Sequence, residues 1–558
     1  MDTHDSKAFR WLAGLCITWG LACSADGAPH DPPAAARSSL VVAAPQVQTS
    51  YRADDVATCA AGTCAGTETQ ALETFDGTLF AGMSNWMESD PAVYPAASAQ
   101  VLRRQSLLGP WAPAPTLSYT CPSAPAAGPM AGAWEQVNDL QALTVIDGTG
   151  APHAALLAAT MPNMGLATAC PELVGTVYVG QGSGAAFAWS PLAATPHLGT
   201  LLQNYYNAPG HSAEVRYLAV STAMAGCSVA NPCVFAAVGA ERDEALPAPA
   251  PPTDCTPPAY AITPTVWRAT SAVVGGVVQL TWDATPLLKL DGCQAQVASR
   301  IVSMVPDPYG GVLVGTAIPK DQPACQDPAS LLCPRASLYR IEPNGTITRR
   351  WVGSAPVPAG ATPPQPVEVR GIASVSTPGG VHTWFFTQPH GRMRRLDPGA
   401  TTPVLEALGG ASQPPAGCAG FYGYQILHMP AVAGNVSALL VAAEGCQGAG
   451  GHAVGFYRRL DATNPTLAAD ENWLPFELPS IVDRADVNPP PSAPPPGAIQ
   501  SHKVREDSLR WLHVPPTPSC DLWVGTGDMN SRWGNSRTAG VYRVVNPFNQ
   551  VNCPAPPP

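Results

Sequence analysis

The stretch GVLVGTA at 311–317, continued by SLYRIE at 337–342 and TITR at 346–349, decides the fold. Its first segment is an apolar run ending in small residues. The second sets an arginine beside an aromatic, and Pro343-Asn344-Gly345 turns the chain into the third, a hairpin signal in which the glycine supplies a positive φ. Short β-branched and aromatic runs bounded by turn residues are strands, and strands joined this closely pair antiparallel. The pattern then recurs. The small-residue strand returns as TLFAGM (78–83), ALLAAT (155–160), CVFAAVG (233–239), TWFFTQ (383–388), ALLVAAE (438–444) and DLWVGTG (521–527). Its successor, usually with arginine, returns as QVLRRQ (100–105), TVYVG (176–180), TVWRAT (265–270), GRMRRL (391–396), GFYRRL (455–460) and GVYRVV (540–545).

Ahead of these lies another apolar strand. It reads NDLQALTVI (138–146), EVRYLAVS (214–221), ASRIVSMV (298–305), EVRGIASV (368–375), YQILHMPAV (424–432) and SLRWLHV (508–514). No stretch after about residue 65 shows a helical 3.6-residue period. Seven such units of four antiparallel strands predict an all-β chain, a seven-bladed β-propeller over 65–558. In that architecture the blades surround a central channel and hide most sheet edges.

Composition narrows the function. Apolar residues make up 46% of the 558 and charged residues only 12%, with a formal net charge of −11. A nucleic-acid partner needs a basic face, and no basic run here exceeds two residues. At the N-terminus Lys7 and Arg10 precede WLAGLCITWGLA (11–22), too short to span a bilayer and of signal-peptide length. Residues 1–23 are therefore read as a signal peptide. Gly20-Leu21-Ala22-Cys23 resembles a bacterial lipobox, with Gly20 where leucine is usual, and the resemblance implies lipidation of Cys23; ordinary cleavage near Ala25 is the alternative. Residues 24–64 form a flexible Pro/Ala-rich tether with a lead-in strand expected at Leu40–Val42. The protein is expected to be exported, as a periplasmic, outer-membrane lipoprotein or extracellular protein, touching membrane only through an N-terminal lipid.

Fourteen cysteines follow Cys16 and Cys23 and fall into local couples: Cys59/Cys64, Cys121/Cys170, Cys227/Cys233, Cys255/Cys293, Cys325/Cys333, Cys418/Cys446 and Cys520/Cys553. No CxxC couple of the zinc-site kind occurs, so disulfides are expected, six of them inside single blades. The blade pattern V-R-x-L-x-V, L-x-V-G-T, G-V-Y-R resembles the repeats of bacterial two-component-regulator and sialidase-like propellers. The resemblance covers residues 65–545 and implies fold, not activity; the sialidase Asp-box is missing throughout.

Candidate binding residues come from geometry. If the first strand of each blade lines the channel, Asn138, Arg216, Ser299, Arg370, Tyr424 and Arg510 share one level. Three arginines on an axis would bind an anion through their planar donor forks. The alternative pairs them with Glu214, Glu368 and Asp507. Loops after the second strands of the first and last blades add Trp86, Asp528, Asn530 and Trp533, an aromatic and polar set suited to a sugar or peptide. No HExxH, Walker A or G-x-S-x-G motif is present, and no cofactor is expected. His211, His428, His502 and His513 are scattered, and ordinary structural roles are expected of them rather than metal ligation. The reading is a binding module for a glycan, peptide or protein partner of the cell envelope. A secreted hydrolase or lyase with its site at the channel mouth is the rival, which close buried carboxylates or histidines would favour. A purely structural envelope protein is the third reading.

Overall fold

The computed structural model describes residues 46–53, 68–84, 99–104, 109–130, 132–163, 169–190, 197–205, 211–242, 264–290, 300–317, 335–353, 368–377, 379–388, 392–406, 422–429, 437–444, 453–460, 474–477, 484–485, 503–504, 508–513, 521–527 and 539–547, with single residues 58, 64, 66 and 166. All belong to the larger of two compact units, Val42–Pro558, the other being Met1–Val41.

The chain enters on β1 (Gln46–Arg52). The first antiparallel set follows: β2 (Glu68–Phe75), β3 (Thr78–Ser84), β4 (Val101–Arg104) and β5 (Ala112–Pro113). The second is β6 (Trp134–Ile146), β7 (Pro152–Pro162), β8 (Val177–Gln181) and β9 (Ala188–Trp189). The third is β10 (His211–Ser221), β11 (Cys233–Arg242), β12 (Thr265–Val274) and β13 (Val277–Trp282), with β14 (Leu288–Lys289) also against β12. Then come β15 (Arg300–Pro306), β16 (Val312–Ala317), β17 (Ser337–Ile341) and β18 (Ile347–Val352). The fifth set is β19 (Glu368–Thr377), β20 (Gly380–Gln388), β21 (Arg392–Leu396) and β22 (Val404–Glu406). The sixth is β23 (Tyr422–Met429), β24 (Ser437–Glu444), β25 (Ala453–Leu460) and β26 (Leu474–Glu477). A two-stranded pair, β27 (Arg484–Ala485) and β28 (Lys503–Val504), precedes the last strands, β29 (Ser508–His513), β30 (Leu522–Gly527) and β31 (Gly540–Val545). Here β1 returns as the fourth strand, pairing antiparallel with β31. For β25 to β28 and for residues 508–510 only the backbone is described.

The protein is thus nearly all-β, as its sequence predicts. Among the described residues the pairings make seven four-stranded sets, the last shared between the two ends of the chain. The first strands of the sets touch in sequence: β2 on β6, then β10, β15, β19, β23 and β29, with β29 and β30 returning to β2. The apolar core lies between consecutive sets. One cluster joins Phe80 and Val137 across the first and second sets, another Leu157 and Val215 across the second and third. A further cluster packs Leu72 and Trp111 of the first set on Trp523 of the last.

The repeated motifs have physical reasons. The small residues of the second strands sit under the next set. A Cβ on Gly82 would lie 2.9 Å from Val137 Cγ1, and one on Gly525 would lie 2.8 Å from Thr69 Cγ2. Both approaches are closer than real Cβ contacts, so glycine is required there. The arginines of the third strands hold acids of their own set: Arg268 Nε lies 2.8 Å from Asp283, Arg340 Nε 2.7 Å from Asp307, and Arg543 Nε 2.8 Å from Asp521. Each fixes the outer strands to a turn or to a strand beginning.

One expectation is untested and two need correction. The lead-in strand expected at Leu40–Val42 lies outside the described residues; the described one is β1, inside the stretch read as tether. The first strand of the first set, β2, is missing from the repeat as read, although Asp76-Gly77 (φ 46° and 70°) closes its hairpin with β3. That dipeptide is a strong type I′ signal. A short helix, α1 (Leu198–Tyr205), also breaks the expectation of no helix. Leu198 and Leu202 are one turn apart and both enter the core between the second and third sets. Two full turns leave too short a period to stand out.

Cys121–Cys170 and Cys227–Cys233 are disulfide-bonded, and Cys64 is in a disulfide as well. The first two lie in the second and third sets, as expected. Cys23, Cys59, Cys255, Cys293, Cys325, Cys333, Cys418, Cys446, Cys520 and Cys553 lie outside the described residues. No described helix is long and apolar enough to cross a membrane.

Candidate functional site: the start of the inner strands

Every first strand carries a β-bulge near its beginning. The register skips Gln70, Asn138, Arg216, Val302, Tyr424 and Arg510, and in β19 it skips Gly371, one position later. A bulge adds one residue to one strand and re-aims its side chains. The seven bulges therefore mark one level of the inner strands. Asn138, Arg216, Tyr424 and Arg510, chosen from sequence alone, are all bulge residues, and Arg370 adjoins the bulge in its strand.

At this level charges are matched inside each strand. Arg216 Nε pairs with Glu214 Oε1, and Arg370 Nε lies 2.6 Å from Glu368 Oε2. In β2 the same spacing holds Gln70 Nε2 donating to Glu68. The Arg370 guanidinium lies 5.6 Å from the ring centroid of Tyr424, one set further on. The expectation of a triple-arginine anion site therefore gives way to its alternative for Arg216 and Arg370, whose charges are compensated. Residues two apart on a strand share one side, which sets each glutamate beside its arginine. The backbone of Arg510 lies in β29, and its side chain is outside the described residues.

Tyr217 ties these groups together. Burial raises its hydroxyl pKa; Arg370 and Arg216 oppose the rise, while Asp139 and Glu368 add to it. Charges from the second, third and fifth sets thus reach one hydroxyl.

At this level and just beyond it, polar side chains cross from set to set. Asn138 Nδ2 donates to Val215 O at 2.9 Å, so Asn138 is a seam residue. Asp139 Oδ2 accepts from Leu218 N at 2.7 Å. Ser303 Oγ accepts from Ile372 N at 3.2 Å, and Gln425 Oε1 from Leu512 N at 2.6 Å. Trp511 Nε1 donates to Leu72 O at 3.2 Å, linking the last set to the first.

Two carboxyls in this region are unusual. Burial pushes Glu73 up to about 8, against a backbone hydrogen bond from Thr74 and with help from the Asp139 charge. Burial also pushes Asp139 up to about 7, opposed by the backbone N–H groups of Leu218 and Leu140. Both keep protons into the neutral range. On the other flank His513 is buried and pushed down to about 4, its Nε2 2.8 Å from Thr74 Oγ1. Sequence reading missed Glu73 and Asp139. The strand TQALETF resembles no sibling closely, and NDL in β6 draws attention only to its asparagine. The buried acidic position could have been found from Asp139 sitting within an apolar inner strand.

Among the described residues one group of three offers metal-type ligands together, Cys121, Cys170 and Glu172. Its two thiols are joined in a disulfide, so they are not free to coordinate. Trp86, Asp528, Asn530 and Trp533 lie outside the described residues, as do Ser299 and the side chains of His211 and His502.

No family model matches the chain, and no curated protein is similar to it. Among solved structures it is similar to an α-L-arabinanase of Penicillium chrysogenum complexed with arabinobiose, at 10% identity and TM-score 0.35 over 74% of this chain and 94% of that one. It is similar to the Dos1 propeller at 11% identity and TM-score 0.34, over 86% and 93% of the two chains. It is also similar to the NanB sialidase of Streptococcus pneumoniae at 11% identity and TM-score 0.34, over 90% and 71%. These likenesses are too slight to transfer an activity.

Proposed function

We propose that the protein is an exported seven-bladed β-propeller that binds an uncharged, polyhydroxylated ligand, a glycan of the cell envelope, where its inner strands begin. The observation that carries this is the internal charge matching of Glu214 with Arg216 and Glu368 with Arg370. Such pairs offer no net charge to attract an ion. Tyr424, under Arg370, adds a ring edge to the same level. The closure of the last set by β1, and the cyclic contact of the first strands, support the propeller reading. Disulfides in the second and third sets fit an oxidising compartment. In this reading Trp86 and Trp533 supply stacking contacts, with Asp528, Asn530 and Arg510 beside them, at the meeting of the first and last sets.

The test is binding of the full chain to an array of neutral and acidic oligosaccharides. Neutral glycans bind on this reading, and Trp86→Ala and Trp533→Ala each weaken them by about 2 kcal/mol or more, the scale of a hot spot. Binding only to acidic glycans, or to none, rejects it.

A second reading, a secreted hydrolase or lyase, is favoured by one observation. Glu73 and Asp139 are electrostatically coupled carboxyls that hold protons near neutrality, as a general acid must. Turnover of a bound oligosaccharide by the native protein, abolished in Glu73→Gln, would establish it.

A further inference from the structure

The inner strands begin at the candidate site and run away from it, so the hairpins joining first to second strands lie at the far end of the sets. Large apolar side chains are exposed there. Val229 on the β10–β11 hairpin is 72% exposed and Tyr309 on the β15–β16 hairpin 57%. Val274, 55% exposed, and Val277 flank Gly275-Gly276 in the β12–β13 hairpin, which the Cys233–Thr270 pairing places at the same end. Ile347 and Val404, also exposed, open β18 and β22 there. The hairpins touch from set to set. Ile146 N donates to Ala230 O and Ala225 N to Pro343 O, both at 2.8 Å, and a Cβ on Gly310 would lie 2.7 Å from that of Ala223. Single apolar side chains scattered over a surface need no explanation, whereas a gathering on touching hairpins marks an interaction face. The start of β1 lies at this end too. Gln46 pairs with Val545, beside the Val544–Leu522 pair, and Leu522 is at the opposite end of β30 from Gly527, which meets Glu68. Cys23, the lipidation position expected from the sequence, precedes Gln46 by 23 residues, so a lipid there would tether the molecule from this end. Charges of the hairpins are matched in pairs: Asp283 with Arg268, Asp307 and Glu342 with Arg340, and Asp397 with Arg395.

We propose that this far end is a membrane-facing surface, whose hairpin tips enter the headgroup layer of a neutral, zwitterionic bilayer at the end where β1 starts. Apolar tips on separate hairpins suit a deformable layer, into which each enters on its own. Every apolar side chain that leaves water there favours binding, and a tyrosine among them holds its ring at headgroup level. The paired charges add no attraction to anionic lipid. The start of the inner strands then faces away from the bilayer, open to ligand. This inference does not depend on the glycan reading.

The experiment is sedimentation of the full chain with phosphatidylcholine vesicles, and with vesicles that also contain phosphatidylglycerol, for the wild type, Val229→Asp and Val274→Asp/Val277→Asp. The wild type partitions onto phosphatidylcholine vesicles. Each variant does so at least tenfold more weakly, with its thermal midpoint unchanged because the replaced side chains are exposed. Hydrogen exchange of the wild type reads the same face without a substitution: residues 222–232 and 274–277 are protected by vesicles, and residues 214–216 are not. Equal binding by the wild type and both variants, or no protection of these hairpins, would mean that the N-terminal segment alone holds the vesicle, and would overturn the proposal. Binding only to the anionic vesicles, or to neither, would overturn it as well. Wild-type self-association without vesicles, seen by light scattering and lost in the variants, would assign the face to a second copy instead. A chain that binds these vesicles and no glycan loses the earlier reading and keeps this one.

Discussion

Asp139 Oδ2 accepts the backbone N–H of Leu218 at 2.7 Å, across the seam between the second and third sets. The bond adds to the backbone hydrogen bond from Gly175 N to Ala213 O at the same seam. Ser303 and Gln425 likewise accept backbone N–H groups at two further seams. Asp139→Ala leaves the Leu218 N–H buried and unpaired, at a cost of about 1–3 kcal/mol. Asp139→Asn keeps an acceptor oxygen and is expected to cost less. Urea unfolding of the two variants checks the order; equal losses would mean that the acceptor is unimportant.

The same acid, with Glu73, sets a pH dependence. Glu73 is raised from 4.5 to about 8 and Asp139 from 3.8 to about 7. A carboxyl with a raised pKa in the folded state holds its proton where the unfolded chain has lost it. Its contribution is therefore complete below about pH 4 and declines as the pH rises to its folded pKa, by up to about 1.4 kcal/mol for each unit and group. Glu73→Gln, which cannot ionise, is expected to gain stability relative to the wild type between about pH 5 and 8. A stability difference that stays flat over that window would show Glu73 to be ionised throughout.

Arg370 and Glu368 are a structural pair before they are anything else. Truncating Arg370 alone leaves a buried carboxylate without its partner and is expected to cost about 3–5 kcal/mol, while replacing both by apolar residues of similar volume costs much less. Chemical denaturation of Arg370→Met and of Glu368→Leu/Arg370→Met makes the comparison. Additive losses in the double variant would contradict the pairing.

Closure by β1 is also open to test. Tyr51 is fully buried against Trp111, with ring centroids 6.1 Å apart, and Ser50 Oγ accepts from Trp111 Nε1 at 2.9 Å. The N-terminal strand therefore completes the last set and also grips the first. Tyr51→Ala is expected to cost about 3–5 kcal/mol, as for other buried aromatics. Deleting residues 46–52 leaves β31 with a bare edge, and the truncated chain is expected to associate. A monomeric, equally stable truncation by light scattering and thermal melting would refute that role.

The two disulfides differ in the loops they close, with sequence separations of 49 and 6. On the loop-entropy argument, removing Cys121–Cys170 costs about 4 kcal/mol and removing Cys227–Cys233 about 2.4 kcal/mol. Calorimetry of the paired Cys→Ser variants gives the ranking, and the reverse order would exclude an origin in the unfolded chain.

The sequence by itself determined the strands, because alternating apolar runs between turn residues depend only on local chemistry. GVLVGTA followed by SLYRIE needs no partner to declare a hairpin. It also marked the level of the bulges, since EVR in β10 and β19 and SLR in β29 repeat the same polar entry. What it did not determine were relations across seams. β1 could not be recognised as the closing strand, because its partner β31 lies nearly 500 residues away in sequence and pairing across such a distance leaves no local pattern. Nor could the arginines be told from an anion site, since whether Arg216 meets a ligand or Glu214 depends on side-chain conformations that only the folded surroundings fix. Only the tertiary structure brought Glu73 beside Asp139, and Val229 and Tyr309 to the end where β1 starts. Proton affinity and exposure are properties of surroundings, and surroundings are set by which sets pack together.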